Sequence, residues 1–191
     1  MPRPVAAAAS ACLLLAAAAS ASASILLAVS LEEMTARADR IVVGEVLSSE
    51  AFRSRGGMIR TLHRVRVDEE LRGTTNREVL VETLGGHLGD ISTHVAGEPS
   101  FSIGDEVVLF LQSRGGGVFR AIGATQGAMR IARRQGTRPM IVPSRAHSLL
   151  VRRGADGVVR KSASPLAEAR DLGEFLDTVR AILKSRQNGA R

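Results

Sequence analysis

Residues 41–73 read "IVVGEVLSSEAFRSRGGMIRTLHRVRVDEELRG". The apolar residues recur with a period of two, which is the signature of a half-buried β-strand and not of a helix. "IVVGEVLSSEAF" forms one strand, with Gly44 inside it at a place where a small barrel bends. "RSRGG" turns the chain. "MIRTLHRVRVDEELRG" brings it back with Ile59, Val65 and Val67 on one face and Arg64 and Arg66 on the other. A hairpin this long predicts a mainly β chain.

The same pattern continues on the C-terminal side. "TTNR" turns again and "EVLVETL" is a third strand. "DEVVLFLQ" is apolar on both faces, so it is predicted to be a central strand. "SRGGG" makes a hairpin into "VFRAIG", and "GAMRIARRQGTRPMIV" makes another about Gln135-Gly136. "LLVRR" and "GVVRK" are weaker strands. Short strands separated by Gly-rich turns predict a β-sandwich or barrel.

Helices are expected at both ends of this β region. Before it, Ile25 to Val29 reads as a short strand, and Ser30 with Glu33 forms a capping box. Leu31, Met34, Thr35 and Ala38 then share one face. Glu32 and Glu33 lie at the positive end of the short helix and Arg37 and Arg40 at its negative end, as the macrodipole favours. At the other end, residues 164–191 are expected to form an amphipathic helix. Its stripe is Leu172, Phe175, Leu176, Val179, Ile182 and Leu183, with Asp171 and Glu174 as a second capping box. Such a stripe packs on the β domain; a partner-binding or membrane-lying helix is the alternative.

The first residues give an address. "MPRP" is basic, the next charge is Glu32, and the apolar run "VAAAASACLLLAAAA" is followed by "SASAS". A basic start, an apolar run and a small-residue exit make a signal peptide over residues 1–23, cleaved after Ala23 or Ala21. An uncleaved anchor is the alternative. The one cysteine, Cys12, lies inside this leader, so the processed chain has no thiol for a disulfide, a thiolate metal site or a cysteine nucleophile. A secreted or periplasmic protein of about 168 residues is expected, one domain able to bury roughly 70% of its unfolded surface.

The charge balance is basic, at +7, and Arg far outnumbers Lys. With no Trp or Tyr, and its five Phe mostly in strand-like runs, the chain lacks stacking platforms for bases. Nucleic acid is therefore not the expected partner. A solvated arginine surface, or contact with an anionic envelope polymer, is the reading of the charge.

Chemistry is confined to one stretch, "GGHLGDISTHVAGEPSFSIG" at residues 85–104, which gathers His87, Asp90, His94 and Glu98. It lacks the Gly-Lys-Ser/Thr and the following helix of a phosphate cradle. Imidazole and carboxylate suit zinc, but the glycines oppose the helix that would align ligands at this spacing. His63 and His147 are not tied to the stretch by sequence. No Gly-x-Ser-x-Gly or His-Glu-x-x-His motif occurs. The paired carboxylates Asp105-Glu106 and Glu69-Glu70 lie on strands and so point to opposite faces. The stretch is therefore expected to be a long recognition loop with a short strand near Thr93 to Ala96. His87, Asp90, His94 and Glu98 are its binding residues, with no cofactor. A metal site or metal-dependent hydrolase built on His87, Asp90 and His94 is the alternative.

Taken in order, "ADRIVVGEV", "HRVRVDEELRG", "EVLVETLGG" and "FSIGDEVVLFL" resemble the bacterial relatives of tissue-inhibitor-of-metalloproteinase and netrin-like modules. The matching places are Ala38-Asp39, Arg72-Gly73, Val79 to Thr83 and Phe101 to Phe110. The chain is also similar to exported bacterial proteins without assigned function that share this layout. The resemblance spans roughly Ser30 to Leu111. It implies an OB-like small β-barrel with a short N-terminal helix and a C-terminal amphipathic helix, the barrel domain running over residues 24–163 with a hairpin extension. It implies a secreted, non-catalytic binding module that meets extracellular proteins or enzymes. The animal inhibitors use an N-terminal cysteine to chelate the protease zinc. The processed chain has no cysteine, so that mechanism does not carry over.

Overall fold

The computed structural model describes residues 24–142, 148–153, 158–162 and 168–189. The expected leader with its cleavage sites, Cys12 and His147 lie outside the described residues. The protein is mainly β, with one large sheet and a C-terminal helix. Strand β1 (Ser24–Leu27) leads to helix α1 (Leu31–Arg37). Then come β2 (Arg40–Arg53), β3 (Ile59–Arg72), β4 (Glu78–Leu84), and the short β5 (Gly86–Leu88) and β6 (Ile91–Thr93). The remaining strands are β7 (Glu106–Gly115), β8 (Val118–Ala121), β9 (Ala128–Ala132), β10 (Met140–Val142), β11 (Ser148–Arg153), β12 (Val159–Lys161) and β13 (Arg170–Asp171). A 3₁₀ turn at Ala124–Gly127 precedes β9, and α2 (Leu172–Gly189) closes the chain.

Eight strands form the large sheet in the order β13-β10-β9-β7-β2-β3-β4-β8. Strand β8 also pairs antiparallel with β7, so the run of pairings β7, β2, β3, β4, β8 returns to β7. Within that run only β4 and β8 are parallel. Strands β1, β11 and β12 form a separate three-stranded sheet, and β5 pairs only with β6. The β2–β3 hairpin shows three register shifts, and one of them falls at Gly44. A Cβ there would sit 2.0 Å from the Arg66 carbonyl oxygen, so only glycine permits this approach.

The first halves of β2 and β7 are buried on both faces and serve two cores. Val42, Val46, Val107, Leu109 and Leu111 join Val65, Val79 and Val81 on the inner side. Ile41, Val43, Val108 and Phe110 point the other way, where Met34 of α1 and Phe175, Leu176 and Val179 of α2 cover them. Phe110 and Phe175 meet edge to face, with centroids 6.3 Å apart. The double-sided apolar pattern of "DEVVLFLQ" has this arrangement as its cause.

Both helix starts are capped, each by half of the expected box. Ser30 Oγ accepts from the Glu33 amide at 3.1 Å, and Asp171 Oδ1 from the Glu174 amide at 3.1 Å. The Glu33 carboxylate turns instead to Arg37. Among the described residues the C-terminal helix runs from Leu172 to Gly189, and residues 164–167 of its expected span lie outside them. Asp171 is taken up by pairing with Met140 in the sheet, and its carboxylate caps the helix that follows. No helix among the described residues is long and apolar enough to cross a membrane.

Candidate functional site

The inner face of β3 starts apolar and turns polar. Val65 is followed two and four positions back by His63 and Thr61, all three buried. The period of two sends them inward beside Thr83 of β4 and Ser49 of β2. The two hydroxyls bracket the imidazole: Ser49 Oγ is 2.7 Å from His63 Nδ1, and Thr83 Oγ1 is 3.0 Å from Nε2. The ring of Phe101 stands edge-on to the imidazole, with centroids 5.0 Å apart. His63 is 3% exposed, and this burial pushes its pKa down to about 4, so the ring is neutral at physiological pH. Thr61 Oγ1 donates to the Gly85 carbonyl at 2.7 Å.

This polar end opens into a cleft of about 390 Å³. The residues expected to form a loop are its roof. "GHLGDIST" folds as a two-stranded hairpin whose turn is Gly89-Asp90, with Gly89 at φ 60°, as a primed two-residue turn requires. The short strand is Ile91–Thr93, earlier than Thr93 to Ala96, because it pairs with Gly86–Leu88 as soon as the turn allows. Gly85 (φ 87°) and Gly86 (φ 134°) let the chain leave β4 at this angle. A Cβ on Gly86 would meet Thr61 Oγ1 at 2.1 Å.

Of the expected site residues, His87 and His94 line the cleft and are exposed at its rim. Asp90 is at the hairpin tip, away from the lining. Glu98 lines the cleft, but its carboxylate is occupied. Oε2 accepts from the Leu84 amide at 3.0 Å and Oε1 from Arg120 at 2.7 Å. It braces the roof against β4 and β8. The set His87, Asp90 and His94 is therefore not brought together as one ligand cluster. Among the described residues, no group of three or more His, Cys, Asp or Glu side chains is placed to hold a metal ion.

No protein-family model matches the chain, and no curated protein matches it. The site is therefore read from its own chemistry. His63, Thr61 and Thr83 are the residues that sequence reasoning passed over. Their signal was present, since Thr61 and His63 share the inward parity of Ile59, Val65 and Val67, and Thr83 that of Val79 and Val81. They interrupt an otherwise apolar face with three groups able to form hydrogen bonds.

A second cavity, of about 460 Å³, lies at the start of β2. Its wall includes Arg40, whose guanidinium is held by Glu70 and by the carbonyls of Thr74 and Asn76. These partners make Arg40 a structural tie.

Proposed function

We propose that this protein is an exported, non-catalytic binding module on an OB-type barrel, and that the cleft under the β5–β6 hairpin is its recognition surface. The barrel reading is supported by the five-strand run β2, β3, β4, β8, β7, with its single parallel pair and its own apolar interior. The leader-like N-terminus supports export to the periplasm or beyond, where the partner is a component of the cell envelope or of the extracellular space.

One observation carries the binding reading: at one end the interior of the sheet is lined by neutral hydroxyl and imidazole groups, and there it opens under a hairpin seated on rigid strands, whereas the buried polar group at the other end, Arg40, is taken up by Glu70 and two carbonyls. The same geometry speaks against acid–base catalysis. His63 has hydroxyls at both nitrogens, no carboxylate among the described residues is hydrogen-bonded to it, and its low pKa makes it a weak base at neutral pH. The arginine surface is interleaved with carboxylates, as in Arg66–Glu45, Arg133–Glu106 and Arg130–Asp105. This weakens the case for a polyanion.

The test is capture. Processed protein beginning at Ser24 is immobilised, and envelope and supernatant fractions are passed over it beside the variant H87A/H94A. Retention by the wild-type chain and loss by the variant is the expected result. Equal retention by both places recognition elsewhere. Amino-terminal sequencing of exported protein checks the leader; a start at Met1 overturns it.

A further inference from the structure

The cleft has a charge balance that narrows its ligand. Among the described residues Glu98 is the only carboxylate that lines the cleft, and Leu84 and Arg120 occupy both its oxygens. No Lys or Arg among the described residues lines the cleft. A cationic ligand finds no free carboxylate, and an anionic one finds no permanent cation. What remains is a dense set of neutral hydroxyl and imidazole groups, with Phe101 as apolar surface beside them.

The chain Ser49–His63–Thr83 adds a further constraint. A neutral imidazole carries one proton for two nitrogens. In one tautomer Ser49 donates to Nδ1 while Nε2–H donates to Thr83. In the other, both bonds reverse. Ser49 is exposed at the mouth of the cleft. When it donates inward it offers lone pairs outward; when it accepts inward it offers its proton. A ligand hydroxyl is both donor and acceptor, so it pairs with either state. A carboxylate, which only accepts, pairs with only one.

We infer that the cleft binds an uncharged, polyhydroxylated ligand, a short saccharide, with Ser49 as the contact at its mouth and Phe101 against the C–H face of a sugar ring. The volume is near the lower end of small-ligand pockets, roughly 300–1,000 Å³, which suits a short segment of glycan. This inference rests on the reading of the cleft as the recognition surface.

The experiment is an NMR titration of the processed protein that follows the imidazole C–H resonances of His63, His87 and His94. The probes are N,N′-diacetylchitobiose and maltotriose, each to about 10 mM, near saturation for a millimolar Kd. Inorganic phosphate is the anionic control. A neutral sugar is expected to shift the His63 resonances saturably, phosphate to leave them in place, and S49A to weaken the sugar about fivefold, the size of one lost hydrogen bond. T83V, close in shape to the native residue, is a second variant whose amide spectrum verifies folding.

Cosedimentation with insoluble peptidoglycan separates the sources. Sedimentation that the disaccharide competes away assigns a polymeric glycan; titration without sedimentation assigns a free sugar. The inference is overturned if neither sugar moves His63, or if S49A and T83V bind sugar as tightly as the native chain. Should H87A/H94A-sensitive capture survive while sugars neither bind nor compete, the ligand class falls and the cleft reading stands. Loss of both ends both.

Discussion

Arg40 and Glu70 face each other across the β2–β3 ladder as a two-pronged pair, Nε to Oε1 at 2.8 Å and Nη2 to Oε2 at 2.9 Å. Their side chains are 5% and 14% exposed, and the guanidinium also lies over the Phe119 ring. Removing one partner leaves the other charge desolvated and alone. Glu70→Ala is therefore expected to lower the unfolding free energy by about 3 kcal/mol, whereas the double variant R40M/E70L recovers most of that loss. Urea unfolding at neutral pH measures both. A cost near that of an exposed pair, under about 1 kcal/mol, contradicts the assignment.

His63 predicts how stability depends on pH. Its folded pKa is about 4 against an ordinary 6.5, so between these values the unfolded chain binds the proton and the folded one does not. The contribution is full above pH 6.5, falls as pH drops towards 4, and is flat below. Its size is about 3 kcal/mol. Unfolding followed from pH 7 to 4 in the native chain and in H63Q isolates it, with the difference between them expected to close as the pH falls.

Glu98 is expected to behave as a brace. Glu98→Ala strips Arg120 and the Leu84 amide of their acceptor, at a cost of about 2 kcal/mol. Hydrogen exchange gives the specific readout: the Leu84 amide loses protection, while amides at the Val108–Met129 pairing keep theirs.

Thr35 offers a change in the other direction. It is fully buried in α1 and its Oγ1 has no hydrogen-bond partner among the described residues. Thr35→Val keeps the shape and removes the stranded hydroxyl. A gain of about 1 kcal/mol is expected, read as a higher urea midpoint with an unchanged slope.

The strands were legible because each element is written locally. Alternation gave β2, β3 and β4, the glycines at 115–117 and Gly136 gave two hairpins, and Ser30 and Asp171 gave the helix starts. The site was less legible for two reasons. Glu98 looks like a free ligand in sequence, and only the folded chain brings Arg120 and the Leu84 amide to it. His63 lies 24 positions before His87, and the two meet because β3 and the hairpin face one space. The pairing of β4 with β8, and of Arg40 with Glu70 at 30 positions, leaves no local mark either.

Among the described residues the β5–β6 hairpin shares no ladder with the large sheet. Substitutions on its exposed face, and changes in the length of its turn, leave every backbone bond of the two cores in place. Sequence at the roof is thereby free to drift under selection while the fold beneath stays under a separate constraint. The same separation makes the hairpin a natural position for grafting foreign recognition sequences onto this scaffold.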